Sequence, residues 1–260
     1  MSKTPIEVAI LDMNDGNPNM GIDCLIDIIT RWGDQKNKAI QYQVFDVRKK
    51  GEIPSLDFDI YLSSGGPGSP IESSQEQWDQ AYTLWLDKIL ASNKLVLLIC
   101  HSFQIACRHF NIGNVCLRKS KQIGVLPVHF IEENPLFEGL PDPFYALESR
   151  SYQIIEPHDE NLKKIGAKII ALEKHRPEVP LERALMGIQF SPSMYGVQFH
   201  PEGDPKRLIP YFNRSDVKDN MITEFGISKW QNTIDLLDRP ETIQTTYQTF
   251  IPHFLDNLLK

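Results

Sequence analysis

Cys100 stands at an abrupt joint. Five apolar residues, Leu95 to Ile99, run into it, and a helix-like pattern starts directly after it, in the stretch LVLLICHSFQIACRHF. A strand that turns sharply into a helix lifts the residue at the turn above the sheet. The helix N-terminus then favours thiolate over thiol at that position. A thiolate nucleophile works with a histidine that moves its proton and a carboxylate that orients the histidine. The stretch YGVQFHPEG supplies both, as His200 and Glu202, two residues apart. Attack on a carbonyl also needs backbone N–H groups to hold the developing oxyanion. The glycine-rich SSGGPGSP offers such donors unobstructed by side chains, and the amide of His101 offers another.

These stretches lie far apart in the chain, so the fold must gather them. Glu7–Leu11, Ile40–Val47, Phe58–Ser64 and Leu95–Ile99 read as strands. Helical spacing separates them over Gly21–Trp32 and roughly Gln75–Ser92, where Trp78, Tyr82 and Trp85 mark a core face. Strands alternating with helices predict a parallel sheet covered on both faces. The unbroken apolarity of Leu95–Ile99 suits a strand buried on both sides. In such sheets, sites lie at the C-terminal strand ends. Ser64 and Cys100 are at such ends, and His200 closes the run from Tyr195. Between Val115 and about Phe199 short β-like runs dominate, and from Asp204 on helical patterns return. The expected fold is a three-layer α/β sandwich with a central, largely parallel sheet, a small antiparallel section and a helical C-terminal tail. The expected division is residues 1–210 and a helical add-on over 211–260.

The chain has 260 residues, with 27 Lys and Arg against 34 Asp and Glu, a formal charge of −7 that argues against non-specific nucleic-acid binding. No run is apolar and long enough for a signal peptide or a membrane span, and the four cysteines form no CxxC pair. This composition reads as a cytoplasmic protein with reduced thiols. Cys107 falls on the apolar face of the helix after Cys100 and reads as core; Cys24 and Cys116 read as structural. The side chain of His101 is expected to point at solvent or at a partner. The remaining histidines have no metal-ligand spacing, so no metal and no cofactor is expected.

SSGGPGSP, ICHSFQ and YGVQFHPEG resemble, in order, the three blocks of class I glutamine amidotransferases, and in particular stand-alone chains similar to the glutaminase domain of GMP synthase. The resemblance covers roughly Val8 to Gly203. It implies that Cys100 is the nucleophile forming a γ-glutamyl thioester, that His200 is the general base and acid, and that Glu202 orients it. It further implies oxyanion-hole amides at Gly66 and His101, and substrate contacts at Gly65, Gly68 and Gln104. The family elbow reads G-x-C-x-G-x-Q, whereas this chain has Leu98 and Ser102 at the glycine positions. Leu98 must be met either by moving the turn, which misaligns the oxyanion hole, or by packing beneath it. Arg150, in ESRSYQ, stands where the family often has histidine, and is expected to offer a cation to a carboxylate of substrate or partner. No GxxxxGK[ST] is present, so the ammonia acceptor is expected to be a separate synthetase. Two alternatives stay open at this point: a γ-glutamyl amide or peptide hydrolase, and a non-catalytic binding or regulatory protein that retains the triad.

Overall fold

The apolar run Leu95–Ile99 forms a strand in which every residue is buried. It lies inside a single sheet in a computed structural model that describes residues 4–178 and 180–259. The strands are β1 (Ile6–Asp12), β2 (Ile40–Asp46), β3 (Ile60–Ser63), β4 (Leu95–Ile99), β5 (Gly113–Phe130), β6 (Phe144–Pro157), β7 (Lys168–Glu173), β8 (Leu185–Ser191) and β9 (Met194–Val197). Their order is β2-β1-β3-β4-β9-β8-β7-β5-β6. The pairings from β2 through β4 to β9 are parallel, and those from β9 through β8, β7 and β5 to β6 are antiparallel. The neighbour of β4 on its second side is therefore β9, which brings the end of the third sequence block beside Cys100.

The helices are α1 (Met20–Lys36), α2 (Val47–Lys50), α3 (Gln77–Leu90), α4 (His101–His109), α5 (Asp159–Ile165), α6 (Pro205–Asn213), α7 (Ser215–Phe225), α8 (Ile227–Leu237) and α9 (Thr245–Asp256). Side chains alternate across a strand, and the core divides accordingly. Val8, Ile10, Leu97 and Ile99 face a cluster completed by α1 and α9, whereas Ala9, Leu11, Val96 and Leu98 face one completed by α3 and α4. These two faces and the sheet make the three layers. No helix among the described residues is long and apolar enough to cross a membrane.

The C-terminal helices pack against the sheet. Residue 210, where the expected division falls, lies inside α6. Helices α6 to α8 pack on the outer face of β5 and β6 through Leu208, Phe212, Met221 and Leu237. Gly124 of β5, at φ 107°, lets α8 approach so closely that a Cβ there would overlap the Thr233 hydroxyl. Helix α9 belongs to the main core: Phe250, Ile251, Phe254 and Leu255 are fully buried, each contributing about 1.5–3 kcal/mol of burial. Phe250 packs edge-on against Phe199, with ring centroids 5.4 Å apart. Trp32 of α1 donates to Asp256 of α9 at 2.9 Å. The tail thus supports Phe199, the residue before His200.

Candidate active site

Cys100 follows β4 and precedes α4 with φ 50° and ψ −98°. A positive φ at a non-glycine residue is costly and is held only by its surroundings. Here the Cys100 amide donates to Val197 O of β9 at 2.7 Å, and its carbonyl accepts the first helical bond, from Gln104 N at 2.9 Å. The sheet grips one side of the turn and the helix the other. The sulfur lies 3.9 Å from Ser149 O and accepts from Gln198 Nε2 at 3.6 Å.

Leu98 does not displace this turn. It is fully buried on the α4 side of the sheet, in register with Gly196 of β9. A Cβ at Gly196 would stand 2.6 Å from the Phe103 ring and 2.9 Å from the Phe190 ring. The glycine opposite Leu98 leaves the room in which Phe103 of α4 settles. Packing beneath the turn is the outcome found.

His200 is carried past the end of β9 by a backbone bond, His200 N to Leu147 O of β6, at 2.8 Å. Its Nδ1 lies 2.7 Å from Glu202 Oε1. With the carboxylate ionised, Nδ1 holds the proton that makes this bond, and Nε2 is left for Cys100. Burial opposes a charge on His200, but Glu202 and Cys100, both facing the ring, outweigh it and hold the imidazole well above its usual value. Glu202 is itself buried, close to the first turn of α1: a Cβ at Gly21 would stand 3.3 Å from Glu202 Oε1. The positive end of that helix favours the carboxylate there.

The glycine loop after β3 lies over this pair. A Cβ at Gly65 would stand 2.6 Å from His200 Cε1 and 3.3 Å from Cys100 Cβ, and one at Gly66 would overlap the Met13 carbonyl. Gly68 has φ 99°, next to the guanidinium of Arg48. Arg48 donates to Met13 O at 3.2 Å and Pro67 O at 2.5 Å, and lies 4.9 Å over the Trp78 ring. Arg48 and Gln198 are site residues that sequence reasoning misses. The one available signal for Arg48 is its place just past a parallel strand, on the same sheet edge as Ser64 and Cys100.

The predicted residues Cys100, His200, Glu202, Gly65, Gly66, Gly68 and Gln104 all line one cleft of about 580 Å³, within the range of about 300–1,000 Å³ usual for small-molecule sites. Gln104 is buried and its amide reaches Gln198 Oε1 at 3.1 Å. Two expectations are corrected. The His101 ring points at neither solvent nor a partner: it is buried, 6.4 Å from the Trp78 ring. Burial, together with Arg48 and Arg108, pushes its pKa down to about 3, so the ring is neutral. Arg150 borders the cleft, but its side chain is fully buried and its charge is already matched by Glu148 at 2.7 Å and Glu173 at 3.7 Å. It offers no free cation to a substrate. Burial, with the nearby Glu202, pushes the Cys24 thiol up to about 11, and burial alone raises Cys107 well above the usual thiol value.

The model of the glutamine amidotransferase class-I family matches residues 26–215. Among curated proteins, the chain is 31% identical over 151 residues to a glutamine-hydrolysing GMP synthase subunit of Pyrococcus furiosus, covering 58% of this chain and 70% of that one. It is 29% identical over 156 residues to the glutamine-hydrolysing GMP synthase of Thermosipho melanesiensis, covering 59% of this chain but 26% of the relative, so it spans about a quarter of that protein. Among solved structures, a glutamine amidotransferase from Thermotoga maritima has the same fold, with a TM-score of 0.71 at 16% identity over 99% of this chain and 100% of that one. The glutaminase domain of Trypanosoma brucei CTPS, solved with bound acivicin, gives 0.60 at 13% identity over 96% and 94%. By its sequence blocks, its sheet order and the family match over most of its length, this chain belongs to the class-I glutamine amidotransferase family.

Proposed function

We propose that the chain hydrolyses the side-chain amide of glutamine and releases ammonia to a separate acceptor enzyme. The observation that carries the reading is the line from Cys100, at the strained turn, through the His200 ring to Glu202 at 2.7 Å, beneath the Gly65–Gly66 loop. In this reading the Cys100 sulfur attacks the amide carbonyl carbon. The N–H groups of Gly66 and His101 hold the oxyanion of the tetrahedral intermediate. The C–N bond breaks as His200 passes a proton to the leaving nitrogen, so ammonia departs and a γ-glutamyl thioester remains. Water then attacks the thioester, His200 accepts the water's proton, and glutamate leaves with the thiol restored. Gln104 and the loop around Gly68 border the glutamyl part of the substrate. The glutamine-hydrolysing GMP synthase subunits among its relatives support a synthetase as the partner that consumes the ammonia.

Steady-state assays on the purified chain test this. Glutamine is expected to give glutamate and ammonia in equal amounts, with no release by the Cys100→Ser variant. Turnover of γ-glutamyl peptides with none of glutamine would replace this reading by the γ-glutamyl hydrolase. No turnover of either, with no labelling of Cys100 by a glutamine-analogue electrophile, would leave a binding module.

The nucleophile can be tested separately. Near neutral pH, iodoacetamide is expected to modify Cys100 before Cys24 and Cys107, whose thiols are held protonated by burial, and before the half-buried Cys116, whose sulfur accepts from Gln153 Nε2. Peptide mapping after partial reaction reads the order. Modification of all four at one rate in the folded protein would remove Cys100 from its role.

A further inference from the structure

Ser102 lies in the first turn of α4 and is fully buried. Its Oγ donates to Ser64 O at 2.5 Å and lies 2.8 Å from Ser63 Oγ, which in turn lies 2.9 Å from the Tyr82 hydroxyl. A hydroxyl has one proton to donate. That of Ser102 is committed to the Ser64 carbonyl, so Ser63 must donate to Ser102, and Tyr82 must donate to Ser63. Burial raises the Tyr82 phenol far above its usual value, so it stays protonated and the direction of the chain does not reverse. The chain of hydroxyls runs from α3 to the peptide group between Ser64 and Gly65.

Ser64 carries the constraint one peptide further. Its Oγ accepts from Met13 N at 3.0 Å and donates to Gly65 O at 2.9 Å. In a trans peptide the C=O and N–H point in opposite directions from one plane. Fixing Gly65 O therefore fixes where the N–H of Gly66 points. None of Ser63, Ser64, Tyr82 and Ser102 lines the cleft. They reach a substrate only through the backbone they hold.

The geometry points to Ser102 as a positioning residue: with Ser63, Ser64 and Tyr82 it ties the Gly65–Gly66 peptides to the helix that carries Cys100, and so sets the angle and spacing of the two oxyanion donors. This rests on the reading of Gly66 and His101 as those donors. Where the family elbow has a glycine, this chain has a side chain that locks the two halves of the hole together.

Two variants break the chain from opposite ends of one bond, Ser102→Ala and Ser63→Ala, so failure of one to fold leaves the other. Each is expected to lower kcat for glutamine about 10-fold or more, as a small misplacement of oxyanion donors does, with KM within about two-fold. Alkylation of Cys100 by iodoacetamide, which forms no oxyanion, is expected to stay within about two-fold of the parent rate. The double variant is expected to cost no more than Ser102→Ala alone, because Ser102→Ala already removes both the bond to Ser64 O and the bond that Ser63→Ala removes. Amide hydrogen exchange at Gly65, Gly66 and Gly68 is expected to quicken about 10-fold, while Leu97 in β4 stays protected. Unchanged kcat in both variants overturns the proposal. So does unchanged exchange in the loop, or a loss of alkylation equal to the loss of kcat. If the parent chain turns over neither glutamine nor γ-glutamyl compounds, the hydrolase reading fails, and the exchange measurement alone still decides whether Ser102 holds the loop.

Discussion

Replacing His200 with alanine is expected to lower turnover by a factor on the order of 10²–10⁴, the scale of acid–base catalysis, while the protein stays folded. The ring is held by Glu202 and by Cys100, and it borders the cleft. Its removal leaves no large cavity, and Phe199 beside it keeps its packing against Phe144 and Phe250. In the proposed mechanism the loss is chemical: without the imidazole nothing takes the proton from Cys100 or returns one to the leaving nitrogen. Turnover and iodoacetamide alkylation at Cys100 are expected to fall together in this variant. Glu202→Gln is expected to cost less, since an amide can still hold the ring in place though it no longer favours the imidazolium. A His200→Ala protein with parental turnover, or one that unfolds while its folded fraction stays active, would show that His200 has another role.

Gly66→Ala is expected to cost a factor on the order of 10²–10³ in kcat, the scale of losing one oxyanion-hole donor. The added methyl has nowhere to go, because the Met13 carbonyl occupies its place and is backbone that cannot swing aside. The loop must shift, and the Gly66 amide shifts with it. Cys100 and His200 are untouched by the substitution, so alkylation of the thiol is expected to persist. This split between turnover and alkylation separates the hole from the nucleophile. A Gly66→Ala variant that keeps turnover within about three-fold of the parent would place the oxyanion donors elsewhere.

The sequence blocks mark Cys100, His200, Glu202 and the glycine loop because their chemistry is local: a thiol at a strand–helix joint, a His-Pro-Glu step, a run without side chains. What they do not reveal depends on partners distant in the chain. His101 looks like a surface residue until Trp78, on another helix, covers it. Arg150 is paired at 2.7 Å by Glu148, two residues before it on the same strand, and Glu173 of β7 adds a second carboxylate at 3.7 Å. The packing of Leu98 is not legible from its own position, because it is buried against α4 in register with Gly196 of β9, a strand far along the chain. The parallel half of the sheet follows from the alternation of apolar strands and amphipathic helices. The place of α9 does not, since an amphipathic pattern marks an apolar face without naming the surface that will cover it.

The pairing of β4 with β9 has a consequence for synthesis. Every residue of β4 is buried in the finished protein, yet the strand that closes its second edge emerges only after β5 to β8 have been made, roughly a hundred residues later and on the order of 5–20 s at usual rates of chain growth. Through that interval the nascent chain exposes an apolar strand edge of the kind that seeks any partner available. The same delay keeps Cys100 apart from His200, so the emerging thiol has no base beside it until the ladder closes. The pairing that covers this apolar edge is also the one that brings His200 to Cys100, and a ribosome that stalls before residue 194 would leave both undone.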